Sequence, residues 1–429
     1  MDYTRAQALK LGTILAFMPL ASSARAQMPD PADLLVQARD RVLAAANRPL
    51  KISCIQTMER SYFSRVRPPG RAPSCDEIAA ERKNGRAKLK LDATDRFRVK
   101  VFPSGAREVF AWIDPLQFES HDLEEVLLSG PLGTGAFGGY LVSLFASPTA
   151  AFQYLGEKAQ KTEYGFRDSG AVGAHLVKAG TQWLPAAING SFVIDQASLD
   201  TEQLIIGTSS LPPGTNMCES ASTVDYARVL VGSEEVLLPK HAESHAVMSD
   251  AKETNNIVTY VSCVAEVPRS AAPVKAASIL PANYGIVLRF DAAIDSDTAA
   301  AGDVVSATVG QDVVAREGAS FKVLLAKGTK VRGRILNVTS YSRLPNENAR
   351  PNVIPESYLV IAISFDVAEI NGIASPLHVR LDSGMTRALG RAVLTPDSSR
   401  WPEDSLVFNA REKHFVVPAG FQSSWITTK

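Results

Sequence analysis

The sequence predicts an α+β protein: an N-terminal helix packed on a curved antiparallel half-barrel, followed by a mainly-β, barrel-like C-terminal domain. Three observations lead there. The stretch between Cys218 and Cys263 reads as three strands, over residues 222–231, 236–248 and 256–263, separated by the turn-rich pieces GSEE and SDAKETN. In the first of them Val224, Tyr226, Arg228 and Leu230 share one face, and Asp225, Ala227, Val229 and Val231 the other. In RFRVKVF, Phe97, Val99 and Val101 face one way and Arg96, Arg98 and Lys100 the other, the pattern of a half-buried antiparallel strand with a wet outer face. Far downstream, Asn371-Gly372 stands between two apolar alternations and is the strongest hairpin signal in the chain.

The first 26 residues read as a processing signal. Arg5 and Lys10 give a basic start, residues 11–20 (LGTILAFMPL) an apolar core too short for a mature membrane helix, and Ala24-Arg25-Ala26 a small-x-small cleavage pattern. The expected product is an exported protein, periplasmic or extracellular, with no transmembrane segment. Four cysteines in an oxidising compartment are expected to pair, and sequence proximity favours Cys54–Cys75 and Cys218–Cys263. Thiolate metal ligation would need close spacing such as C-x-x-C, which this sequence lacks.

Lys+Arg and Asp+Glu both number 45 in 429 residues, so the formal charge is zero. That balance argues against nucleic acid, whose binding needs a basic face. The length predicts two domains. Residues 27–267 form the half-barrel domain, 268–278 (PRSAAPVKAAS) a linker by composition, and 279–429 an all-β domain.

Along the first domain, DPADLLVQARDRVLAAAN carries Leu34, Leu35, Ala38, Val42, Leu43 and Ala46 at helical spacing. Strands are expected at 51–65, 86–91, 96–102 and 107–113. Residues 115–147 interrupt them. There Gly133-Thr134-Gly135-Ala136-Phe137-Gly138 fits G-x-G-x-x-G and precedes the apolar helix YLVSLFAS. A dinucleotide site would require a parallel βαβ unit around it, whereas the flanking strands read as antiparallel. The glycines are expected instead to hinge a helical flap over the open side of the sheet. Strands resume at 152–155, 161–166, 174–179, 190–195 and 202–206.

This order of helix, strands and lid resembles the lipoprotein-carrier (Lol-type) half-barrel family over residues 29–267. The resemblance implies a concave apolar face that holds acyl chains beneath a helical lid. Residues 279–335 resemble the C-terminal β domain of the type IV secretion and conjugation scaffold family. The matching pieces are Leu280-Pro281-Ala282-Asn283-Tyr284, Ala293-Ile294-Asp295-Ser296-Asp297, and Leu325 to Gly333 (LAKGTKVRG). Together the two halves resemble a group of two-domain exported bacterial proteins.

Candidates for chemistry are few. His241-x-x-x-His245 would chelate on a helix, but on a strand the two side-chain attachment points stand roughly 13 Å apart. No serine sits in a G-x-S-x-G elbow, and Glu124-Glu125 and Asp295/Asp297 read as solvated loop acids. The leading expectation is a non-enzymatic protein without cofactor or metal that binds a lipid or acylated peptide. Its site would be lined by Phe97, Val99, Val101, Phe110, Trp112, Phe137, Tyr140, Leu141, Leu144 and Phe145, with Gly133, Gly135 and Gly138 as hinge. The rival is a structural or assembly factor of the cell envelope acting through protein partners; a hydrolase is the third reading.

Overall fold

Residues 30–48, 51–66, 73–104, 107–113, 135–170, 175–266, 280–342, 357–382, 404–409 and 414–428 are described in the computed structural model. The expected signal segment, Gly133, Glu124-Glu125 and the linker at 268–278 lie outside them.

Helix α1 (Pro31–Ala46) starts where the sequence says it should. Asp30 caps it by accepting from the Ala32 N–H at 2.9 Å, Pro31 occupies the first turn, and Asp33 complements the dipole. Leu34 and Ala38 are fully buried, and Leu35, Val42 and Leu43 pack at the edge of the same core. The Tyr164 hydroxyl donates to the Pro31 carbonyl at 2.7 Å and moors the helix start to the sheet.

Among the described residues the sheet has ten antiparallel strands: β1 (Ile52–Arg65), β2 (Leu89–Ser104), β3 (Arg107–Trp112), β4 (Ala151–Lys158), β5 (Lys161–Asp168), β8 (Ala187–Asp195), β9 (Thr201–Ser210), β10 (Met217–Val231), β11 (Glu234–Met248) and β12 (Glu253–Ala265). A small separate hairpin, β6 (Leu176–Ala179) with β7 (Gln182–Pro185), lies between β5 and β8 in the chain. In space the order is β4–β5–β8–β9–β10–β11–β12–β1–β2–β3. The first strand of the domain therefore lies beside its last. Cross-strand registers such as Phe97–Met58–Val258–Ala242–Val224 line one face with apolar side chains, all buried in a single core with α1.

That neighbourhood corrects the disulfides. The bonds are Cys54–Cys263 and Cys75–Cys218. Nearness in sequence was the wrong guide, because the β1–β12 pairing brings Cys54 beside Cys263 although 209 residues separate them.

Two elements depart from expectation. Residues 86–91 and 96–102 are not two strands; β2 runs unbroken through Asp92-Ala93-Thr94-Asp95. Asp95 is tolerated there because Arg60 on β1 grips its carboxylate at 2.7 and 2.6 Å, with the guanidinium 5.2 Å from the centre of the Phe97 ring. Helix α2 (Cys75–Lys83) lies between the strands expected at 51–65 and 86–91, where no element was expected. It carries a full capping box, Ser74 with Glu77, but buries only Ile78, so it has no apolar stripe to betray it.

The C-terminal half closes on itself. Strands β13 (Gly285–Phe290), β15 (Val304–Val309), β18 (Lys330–Ser342), β19 (Ser357–Ile370), β20 (Ile373–Pro376), β21 (Val379–Leu381) and β24 (Gln422–Thr427) pair in ring order, with β20 and β21 nearly continuous and β24 returning to β13. Strand β22 (Ser405–Asn409) flanks β19. Asn371 and Gly372 take positive φ of 52° and 74°, as a two-residue turn of this kind requires. The short β14 (Ile294–Asp295) pairs β23 (Val416–Val417), and β16 (Val313–Glu317) with β17 (Ser320–Leu325) forms a hairpin of its own. A second core, centred on Trp425, Phe290 and Phe365, fills the ring.

The two cores are separate, but β2 joins the two sheets. Its residues Ala93, Thr94 and Asp95 pair with Tyr341, Ser340 and Thr339 of β18. The Arg98 N–H donates to the Ala301 carbonyl at 2.7 Å, and the Ala301 N–H donates to the Arg96 carbonyl at 2.9 Å. Gly302 is required beside them: its φ is +100°, and a Cβ there would stand 2.0 Å from the Arg98 carbonyl oxygen. Limited proteolysis is expected to cut first within residues 268–278, and the two fragments to co-elute under native conditions because this seam holds them. Persistent first cleavage elsewhere would count against a linker at that position.

Candidate functional site: the mouth of the half-barrel

The ten residues expected to line a ligand site divide into two groups. Phe97, Val99, Val101, Phe110, Leu141, Leu144 and Phe145 are buried together in the core under α1 and α3 (Gly139–Ala146). Trp112, Phe137 and Tyr140 remain half-buried at its edge. Of these, Trp112 is covered from the C-terminal half, with the Arg334 guanidinium 5.4 Å from its ring centre and Arg334 Nη1 donating to the Ile113 carbonyl at 2.7 Å. The mouth proper is therefore built around Phe137 and Tyr140.

Gly135 and Gly138 both take positive φ, 112° and 111°, which turns the chain sharply into α3. A Cβ on Gly135 would lie 2.9 Å from the Tyr140 ring. The same turn aims backbone N–H groups at a carboxylate. Phe137 donates to Glu108 Oε1 at 2.9 Å, and the N–H groups of Gly135 and Ala136 add to the favourable field around it. Burial nevertheless pushes the Glu108 carboxyl up, and among the described residues it has no cationic partner.

Three tyrosines gather around Glu108. Tyr140 comes from α3, Tyr226 from β10 and Tyr260 from β12, and each is held above the ordinary phenol range, first by burial and then by neighbouring negative charge. The Phe137 ring meets the Tyr260 ring edge to face at 5.0 Å, and His175 lies 5.9 Å from Tyr140. Burial lowers the His175 pKa, so its imidazole is neutral at pH 7. Among the described residues, the Tyr226 hydroxyl has no partner, Tyr226 being 8% exposed, and neither has Oε1 of Gln56, which stands directly opposite Tyr260 and is 1% exposed.

Sequence reasoning passed over Glu108, Gln56, Tyr226 and Tyr260 as site residues. The signal was present for Glu108: alternation along REVFAW puts it on the face of Phe110 and Trp112, where an acid does not belong without a reason.

A cleft of about 380 Å³ opens beside α2 and is lined by Phe63, Arg82, Leu89, His245, Glu253 and Asn255 among others. Glu253 accepts from Arg65 at 2.6 Å and lies 3.0 Å from His245 Nε2. Its lining offers no hydroxyl or thiol nucleophile, and its charges are engaged in tying α2 to the sheet. His241 faces Asp225 at 3.7 Å, so the two histidines of β11 serve different partners. Asp295, Asp297 and His414 converge in the C-terminal half, with His414 Nε2 at 3.1 Å from Asp295 Oδ1; Asp297 and His414 are exposed, and a hydrogen-bonded turn explains the cluster.

No family model matches the chain, and no curated protein matches it. Among solved structures, a LolA superfamily protein from Nitrosomonas europaea is similar over 54% of this chain and 94% of its own, with 10% sequence identity and a TM-score of 0.24. No described helix is long and apolar enough to cross a membrane.

Proposed function

We propose that this is an exported, non-enzymatic protein whose half-barrel holds an amphipathic, mainly apolar ligand, a lipid or acylated peptide, at the mouth in front of α3. One observation carries the reading: Phe137, Tyr140 and Tyr260 are only half-buried where a filled barrel would seal them off completely. The deep residues from Phe97 to Phe145 serve as the floor, and the glycine turn at 135–138 sets the position of the lid. Two disulfides suit an oxidising compartment, which supports export.

Uptake of the neutral apolar dye N-phenylnaphthylamine, with native mass spectrometry of protein purified from a bacterial host, tests this. Bound lipid and a fluorescence rise that falls several-fold in Phe137→Ala are expected. Absence of both dye uptake and co-purified lipid would sink the carrier reading.

The second reading, an envelope assembly factor working through protein contacts, is favoured by the β16–β17 hairpin. Phe321 there is 72% exposed, on the same face as exposed Val314 and Val323. Loss of a co-purifying envelope protein on Phe321→Ser, in a chain that takes up no dye, would support it.

A further inference from the structure

The hairpin β6–β7 pairs with no other described strand, and its two faces differ. Lys178 stands opposite Trp183 and Leu176 opposite Pro185, so these four side chains share one face. All four are exposed, Trp183 at 54% and Leu176 at 47%. Val177 and Leu184 lie on the other face, and Val177 is buried, so that face is the one turned to the protein. We propose that the face of Leu176, Lys178, Trp183 and Pro185 docks the half-barrel on an anionic lipid surface.

Three observations favour a bilayer over a protein. The first is charge. Between Asp168 and Asp195 the sequence holds no acidic residue, and Lys178 is its one Lys or Arg. Asp168 itself is buried, its carboxylate taken by the Thr149 hydroxyl and the Gly170 N–H. The hairpin thus turns a positive charge outward, and no acid of its own segment opposes an anionic surface. The second is the pairing of side chains. Lys178 Nζ lies 5.7 Å from the centre of the Trp183 ring. A tryptophan suits the headgroup region, with an apolar body and one N–H donor, and a lysine stem can lie along apolar surface while its ammonium stays in water. The third is size. A stable protein interface takes about 20–30 residues a side, whereas four side chains suffice to touch a surface that needs no matching contour.

The position gives the contact a use. The His175 ring lies 5.9 Å from the Tyr140 ring, and the Ala186 N–H donates to the His175 carbonyl at 2.8 Å, so both ends of the hairpin are rooted at the mouth. A bilayer held by Trp183 would lie beside the opening, and an amphiphile would pass between them without crossing open water. The contact itself rests on the hairpin's own side chains and does not require that the mouth hold a ligand.

Flotation with vesicles at low salt tests the anchor, using residues 27–429 so that the apolar run at 11–20 cannot insert. The vesicles are phosphatidylcholine alone, or phosphatidylcholine and phosphatidylglycerol in equal parts. The wild type is expected to bind the mixed vesicles more tightly than the neutral ones. Trp183→Ser should weaken binding to both several-fold. Lys178→Gln should weaken binding to the mixed vesicles about fivefold, the scale of one lysine at an anionic surface, and leave the neutral ones unchanged. It decides the matter if Trp183→Ser does not fold. Phe321→Ser, on the β16–β17 hairpin, should change neither. No flotation of the wild type, unaltered binding in both β6–β7 variants, or a loss in Phe321→Ser equal to that in Trp183→Ser overturns the anchor. Dye uptake measured on the same proteins keeps the two readings apart. Uptake without vesicle binding removes the anchor alone, and vesicle binding without uptake removes the carrier alone.

Discussion

Phe145→Ala should cost about 3–5 kcal/mol of folding stability, the scale for removing a fully buried phenylalanine. Phe145 lies in the last turn of α3 with no exposed surface. Its ring meets Phe192 edge to face at 5.3 Å and Phe152 at 5.9 Å, and Phe192 in turn stacks on Tyr164 at 5.4 Å. Truncation leaves a hole bounded by rings that belong to β4, β5 and β8, and strands fixed by continuous pairing cannot collapse into it. Phe137→Ala is the contrasting case: a half-buried ring at the core's edge, with a smaller expected stability cost and a large expected effect on uptake. Urea unfolding of the two variants beside the wild type measures the difference. A loss below about 1 kcal/mol in Phe145→Ala would mean that α3 detaches readily and that the whole helix, rather than its leading turn, acts as the lid.

The contrast also shows where sequence reasoning reached its limit. Alternation told which side chains of β2 and β3 face inward, since a period of two is a local property. It could not tell floor from rim, because exposure of an inward side chain depends on what stands opposite it across the barrel. Val99 and Trp112 pair in register, yet one is buried and the other is capped by Arg334, more than two hundred residues away. Helix α2 was hidden for a related reason. Its stability comes from the capping box, the Cys75–Cys218 bond and the Arg82–Glu219 ion pair rather than from an apolar stripe. Ser74-x-x-Glu77 was the one local mark it left. The break expected at Asp92–Asp95 vanished once Arg60 supplied the missing charge from the next strand. Polar orphans such as Gln56 and Tyr226 have no signature in sequence at all, because a missing partner is a fact about three dimensions.

Loss of the Cys54–Cys263 bond is expected to be the most damaging single covalent change to the half-barrel. The bond joins the domain's first and last strands, and the loop it closes spans 209 residues. On the chain-entropy model such a loop is worth about 5 kcal/mol, and measured losses for native bonds run to about 2–5 kcal/mol. Cys54→Ala/Cys263→Ala should therefore lower the unfolding midpoint of the whole domain. The double replacement Cys75→Ala/Cys218→Ala should act differently. It frees the start of α2, whose only buried side chain is Ile78, so the loss should appear first as faster hydrogen exchange and easier proteolysis around residues 75–83. Mild reduction should follow the same order: Cys75 is exposed and Cys54 has no exposed surface, so Cys75–Cys218 opens first. Non-reducing peptide mapping during a graded reduction reads both points together. Peptides joining Cys54 to Cys263 should persist after those joining Cys75 to Cys218 have separated. Recovery of Cys54 joined to Cys75 would mean that β1 and β12 are not neighbours, and the half-barrel would have to be redrawn.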